Sequence, residues 1–110
     1  MAMFGENTCK AWADASMAGD MSLRESYNFS SVTDISTGRI RFSFDVDAVA
    51  SKYAIATLSG NNSGTTTSAR TQNLDSARAA GNFIIRNLNV NATNSPTDDT
   101  YIGVIVFMDT

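Results

Sequence analysis

The feature that most constrains the fold is a period of two. In "RIRFSFD", Ile40, Phe42 and Phe44 fall on one side of an extended chain and Arg39, Arg41 and Ser43 on the other, because a strand sends successive side chains to opposite faces. One face requires a core and the other tolerates water. Upstream, "SYNFSS" places Tyr27 and Phe29 on one face and Asn28 and Ser30 on the other. Between the two runs lie Asp34, Ser36 and Gly38, residues that turn a chain through local hydrogen bonds or tolerance of positive φ. The pattern predicts a hairpin whose loop is longer than two residues.

The same period recurs downstream. In "KYAIATLS", Tyr53, Ile55 and Thr57 oppose Ala54, Ala56 and Leu58, and "NFIIRNLNV" reads as a further strand. The last run, "TYIGVIVFMD", is apolar on both sides: Ile102, Val104, Val106 and Met108 face one way, and Tyr101, Ile105 and Phe107 the other. A strand of this kind is central, or lies between a core and a neighbouring subunit. The segments "GNNSGTTTS" (60–68) and "NATNSPTDD" contain nothing apolar to bury, so both read as loops, the first with the option of entering a Thr-rich strand. Two segments stay ambiguous. Asn73 to Gly81 is Ala-rich and reads either as two helical turns stopped at Gly81 or as an irregular connection. "CKAWADASMAGDM" has Ala and Met that favour helix and a Trp that favours strand, with propensity slightly on the side of helix.

A chain of 110 residues with no repeat and no linker is one domain, with residues 1–9 as an N-terminal arm and 10–110 as an all-β unit of five to seven strands. Composition narrows its chemistry. The formal net charge is −3, and the eight basic residues are spread along the chain, which argues against a nucleic-acid partner. Cys9 is the one cysteine, so no internal disulfide forms, and it reads as an ordinary reduced thiol. No apolar run reaches the ~20 residues that span a bilayer, and the start "MAMFGENTCK" lacks the form of a signal peptide. Synthesis and folding in a cytoplasm, with no membrane insertion, is the expectation.

Histidine is absent, which removes the usual general base, the Ser-His-Asp and Cys-His systems and the commonest zinc ligand. Any metal or acid–base site rests on carboxylates. Asp45 and Asp47, two apart on a strand face, and Asp98 and Asp99, after Pro96, are the candidates for oxygen ligation of calcium, but neither pair completes a calcium loop and both read more simply as solvated acids. No cofactor, metal or catalytic residue is therefore assigned. "GNNSG" lacks the Lys-Ser/Thr of a phosphate loop, and the sequons at Asn28, Asn61 and Asn91 carry weight only in a secreted eukaryotic protein. Trp12, Tyr27, Tyr53 and Tyr101 can stack on sugars when exposed, although aromatics in alternating strands usually belong to cores.

These residues also carry a resemblance. "KAWADASMAG", "RESYNFSSVTDISTGRIRFSFD" and "KYAIATLSG" are similar to the small β-domain at the C-terminal end of bacteriophage tail-fibre proteins, which reads Lys-Ala-Trp, then Ser-Tyr-Asn-x-Ser-Ser, a turn ending in Gly, a Phe-bearing strand and a Tyr-Ala pair. The matching residues are Lys10, Ala11 and Trp12; Ser26, Tyr27, Asn28, Ser30 and Ser31; Thr33, Asp34 and Gly38; Phe42 and Phe44; and Tyr53 with Ala54. Arg86, Asp98 or Asp99 and the closing "VIVF" fit the family's late Arg, Asp and Val-rich strand. Ala13 and Ala15 depart from it, standing where the family has Val and a bulky aromatic, and the long stalk of a fibre protein is missing.

The resemblance tips the N-terminal segment towards strand. It implies an antiparallel, jelly-roll-like β-sandwich that forms a homotrimer, a non-enzymatic role in a virion alongside other virion proteins, and recognition of a host-surface glycan. Asn61, Asn62, Ser63, Thr65 and Thr67, rich in hydroxyl and amide groups, are the ligand-binding residues expected for that role. A capsid decoration (cement) or connector protein is the alternative, and a carbohydrate-active enzyme using Asp45, Asp47, Asp98 or Asp99 is a third.

Overall fold

In a computed structural model of the chain, the described residues are 10–60, 70–74, 78–90 and 95–108. They form nine strands and no helix: β1 (Ala11–Ser16), β2 (Ser22–Tyr27), β3 (Phe29–Ser36), β4 (Arg39–Phe44), β5 (Ala54–Gly60), β6 (Arg70–Leu74), β7 (Asn82–Asn89), β8 (Ser95–Pro96) and β9 (Tyr101–Phe107). One sheet runs β2-β1-β9-β5 and the other β3-β4-β7-β6, with β8 paired to β7. Every pairing is antiparallel. The expected all-β class is observed, with more strands than the five to seven expected.

The chain passes from one sheet to the other at a single residue. Asn28 has φ +59°, a left-handed conformation that Asn tolerates better than most residues. Its side chain completes the corner: Oδ1 accepts from the Val46 amide at 2.7 Å and Nδ2 donates to the Val46 carbonyl at 3.1 Å. Its own carbonyl accepts from the Asp45 amide at 3.1 Å. The expectation that Tyr27 and Phe29 share a face is therefore wrong. Tyr27 ends β2 exposed, and Phe29 begins β3 in the core. At Ser30 the β3–β4 register shifts, and its hydroxyl lies 3.3 and 3.4 Å from the Ser43 and Phe44 carbonyls, to which it donates across the bulge.

The β3–β4 turn is shorter than the sequence pattern predicts. Ser36 pairs with Arg39 across the two residues Thr37 and Gly38, and a second register shift between Asp34 and Ser36 takes up the extra length at Ile35. Gly38 has φ +75°. A Cβ there would lie 2.8 Å from the Asn87 carbonyl oxygen and 2.8 Å from the Thr97 amide, so glycine is required both by conformation and by space.

Both sheets share one core with a division of size. On the first sheet, Ala11, Ala13 and Ala15 of β1 are buried with Ile102, Val104 and Val106 of β9. The second supplies Phe29, Phe42, Phe44 and Phe83, which pack with Tyr53 at ring-centroid separations of 5.1 to 6.0 Å. Small residues on one wall leave room for rings on the other, as close packing demands. This accounts for the alanines of β1, and burial between β2 and β9 overrides their helix propensity.

Of the two readings left open for 73–81, the described residues, 73–74 and 78–81, do not take the helical one. Asn73 and Leu74 belong to β6, and the carbonyls of Ala80 and Gly81 accept from the Ala48 and Phe44 amides at 2.9 Å each. Tyr53 donates its hydroxyl to the Ala79 carbonyl at 2.8 Å. The backbone groups that a helix would pair internally are used instead to hold the connection between β4 and β5.

Candidate functional site

The expected glycan-binding residues Asn61, Asn62, Ser63, Thr65 and Thr67 lie outside the described residues, as does Cys9. Their flanks are placed: Gly60 ends β5 in the first sheet and Arg70 begins β6 in the second.

The acids expected as calcium candidates do not act as pairs. Asp45 and Asp47 lie beyond the end of β4, both exposed, rather than on a strand face. Asp98 accepts the Gly38 amide at 2.7 Å and so holds the hairpin tip. Asp99 is buried, and its oxygens accept from Arg70 Nε at 2.7 Å, Arg70 Nη2 at 3.1 Å and Asn87 Nδ2 at 2.8 Å. Asn87 in turn donates to the Thr97 carbonyl at 3.0 Å and accepts from Gln72 Nε2 at 2.8 Å, while Gln72 Nε2 also reaches Ser59 Oγ at 2.6 Å. Ser59 belongs to the first sheet, and Gln72 and Asn87 to the second. The network is a polar clasp between the sheets, and each of its buried groups is satisfied within it. Among the described residues no three acids or cysteines come together as a metal site.

Of the four aromatics that sequence patterning assigns by preference to the core, one is buried and three are exposed. Tyr53 is buried, and burial raises its phenol pKa against the opposing field of Arg78. Trp12, Tyr27 and Tyr101 are exposed on the outer face of the first sheet. The pairings place Tyr27 opposite Trp12, Trp12 opposite Ile105, and Ile105 opposite Ala56, so one apolar row crosses all four strands. Phe107 opposite Ala54, and Leu58 opposite Gly103, extend it on two sides. Trp12, Tyr27, Ile105 and Phe107 are 40 to 57% exposed and Leu58 76%. Strands ~4.8 Å apart with a rise of ~3.3 Å per residue give this face a footprint of roughly 400 Å², the scale at which an apolar patch ceases to be incidental.

A bulge sets an ion pair at the rim of the face. Asp14 pairs with Glu25 but Ala15 with Leu23, so Arg24 is the extra residue; the shift sends Leu23 towards the core and Arg24 outward. Arg24 binds Asp14 through Nε at 3.2 Å and Nη2 at 3.0 Å, donates to the Ala15 and Thr100 carbonyls, and sits 4.5 Å from the Tyr101 ring centroid. The hydrogen bond to Asp14 raises the guanidinium pKa above its ordinary value, outweighing a small opposing effect of burial.

Basic residues spread along the sequence gather in space on the other sheet, contrary to expectation. Arg39 stands opposite Arg86, and Arg41 follows on the same face. Sequence reasoning also missed the polar clasp, whose signal was an asparagine inside the apolar run of β7. Comparison of the chain with protein-family models, with characterised proteins and with solved structures found no match. Among the described residues no helix is long and apolar enough to cross a membrane.

Proposed function

We propose that the chain is a non-enzymatic structural protein of a bacteriophage virion, a tail-fibre-type β-sandwich that assembles as a homotrimer through the outer face of its first sheet. The observation that carries the reading is the row Tyr27–Trp12–Ile105–Ala56 with Phe107 and Leu58 beside it. Its occupant is a second copy of the chain. The centre of the face is apolar, and at its rim Arg24 is paired with Asp14 within the same molecule, so a second copy meets it through apolar side chains. A footprint of roughly 400 Å² falls short of the ~800 Å² per partner of a standard pairwise interface. A three-fold ring joins two different patches of each chain, so the trimer brings a second surface into contact beside this face, and the number three rests on the resemblance.

The resemblance of the Ser26–Ser31 block supports the virion assignment. Asn61, Asn62, Ser63, Thr65 and Thr67 remain the proposed contact for a host-surface glycan. Imaging of intact particles carrying a tagged copy of the chain tests the assignment: label at the tail agrees with it, label over the capsid shell moves the protein to the cement class, and absence of label from particles contradicts both.

A further inference from the structure

Of the four strands that end a sheet, β5 alone lacks the devices that keep sheet edges apart. β2 carries Arg24, Glu25 and a bulge, β3 carries Asp34 and two register shifts, and β6 opens on Arg70. β5 has no charge and no proline, and its register with β9 is unbroken over all seven of its residues. Among the described residues no strand pairs with its outer side. An edge presents a row of backbone N–H and C=O groups, and natural proteins guard it with charges, prolines, bulges or a cover. β5 has none of the first three, which leaves a cover. Leu58 on this strand is 76% exposed, so the uncovered edge also carries apolar surface.

A second observation lies on the outer face beside that edge and concerns height. The row that crosses the first sheet begins with Tyr27 on β2 and Trp12 on β1 and ends with Ala56 on β5. The β2–β1 half therefore stands high and the β9–β5 half low. Gly103 belongs to the low half, inside the central strand β9 and without a positive φ. A Cβ there would meet nothing nearer than the Leu58 carbonyl oxygen at 3.9 Å, so nothing within the chain requires a glycine. Glycine inside a strand weakens it and often marks a place that another group approaches closely.

We propose that in the trimer the high β2–β1 half of each copy's outer face packs over the low β9–β5 half of the next copy, with Tyr27 seated on Ala56 and the neighbour covering the edge of β5. The pairing rests on the trimer reading above and adds to it which surfaces meet. It joins unlike halves, as a closed ring of three requires. High against low also fills space, whereas two high halves would meet ring to ring. The width of the sheet agrees with three copies. Four strands ~4.8 Å apart span roughly 19 Å, and three such sheets around an axis along the strands place each wall ~5.5 Å from that axis, the depth of one side-chain layer. Four copies would leave a channel that one layer does not fill.

The test is disulfide trapping in the full chain with Cys9→Ser as background. Tyr27→Cys and Ala56→Cys replace exposed residues at the two ends of the row, three strand spacings or ~14 Å apart within one chain. That exceeds the ~7 Å that a disulfide spans between Cα atoms, so a bond between the two positions joins different copies. Under mild oxidation the double variant should give covalent dimers and trimers on a non-reducing gel and nothing larger. Each single variant should run as one chain, and so should the control pair Tyr27→Cys/Thr33→Cys, whose second position is exposed on the other sheet. Circular dichroism checks that every variant keeps its β-type spectrum. Covalent dimers of a single variant mean that like meets like, and they overturn the proposal. A ladder beyond three chains, or a control pair that traps as well as the test pair, also overturns it. Sedimentation of the same samples separates the two readings: a trimer without the bond overturns this pairing alone, and a monomer overturns both.

Discussion

Asn87 and Asp99 meet at 2.8 Å, Nδ2 to Oδ2, where the interior of the second sheet reaches the strand that closes the first. The contact is one link in a chain that runs from Ser59 through Gln72 and Asn87 to Asp99 and Arg70. Asp99 also accepts the Met17 amide through its backbone carbonyl at 3.0 Å, which ties the end of β1 to the start of β9. The acid that sequence patterning offered as a calcium ligand is thus the centre of a structural clasp.

Replacing Asp99 should therefore damage stability rather than binding. Asp99→Ala leaves the Arg70 guanidinium, 15% exposed, without its carboxylate, and breaking a buried pair from one side costs about 3–5 kcal/mol. Urea unfolding should show a lower midpoint with an unchanged slope. A variant as stable as wild type would remove the clasp from the account.

Gly38→Ala tests the hairpin tip. The left-handed conformation alone costs an alanine about 1–2 kcal/mol, and the new Cβ also meets backbone at 2.8 Å on two sides. The expected loss in thermal unfolding exceeds about 2 kcal/mol. Gly19, with φ +65° and open space around it, is the control, and Gly19→Ala should cost only the conformational part.

The Asn28 corner separates side chain from backbone. Asn28→Gly keeps the conformation and loses the two bonds to Val46, while Asn28→Ala loses both contributions. The glycine variant should lose about 1–2 kcal/mol, near the net worth of two hydrogen bonds, and the alanine variant more. Equal stability of the two variants would contradict a conformational role for Asn28.

Tyr53 predicts an alkaline limit. Its folded-state pKa is raised by burial, so the neutral phenol is favoured by folding. The unfolded chain ionises first, near the ordinary value of 10. Stability from this group is complete below that pH and is lost as pH rises from there through the folded-state value. Tyr53→Phe should flatten the alkaline branch of a stability-against-pH curve, while forfeiting the hydroxyl's bonds to the Ala79 and Asn82 carbonyls at every pH. An unchanged alkaline branch would assign it to another group.

Much of this architecture was legible because period-two patterning is a direct image of burial. Ile40, Phe42 and Phe44, and Ile102, Val104 and Val106, are buried where alternation placed them. What escaped was set by single residues whose effect is not periodic. Asn28 reverses the alternation in one step, and Ser30, Ile35 and Arg24 each add a residue to one strand at a register shift. No window average registers such features. The Ala-rich stretch before Gly81 stayed open between helix and irregular connection for another reason: what decides it is tertiary, since Phe44, Ala48 and Tyr53 claim its carbonyls. The block Ser26–Ser31 is explained by the corner and the first bulge. Asn28 and Ser30 in it are structural, while Tyr27 lies on the outer face of the first sheet, in an apolar row assembled from distant strands.

The central claim is that the outer face of the first sheet is covered by copies of the same chain. Sedimentation of the purified protein over a wide concentration range tests it most directly, with Ile105→Asp beside the wild type. The account predicts a wild-type species of about three times the 11.8 kDa chain mass, and a variant that sediments as a monomer while keeping its β-type circular dichroism, since Ile105 is exposed in the single chain. A wild-type protein that stays monomeric at the highest concentration, or a variant that assembles as well as the wild type, would contradict it.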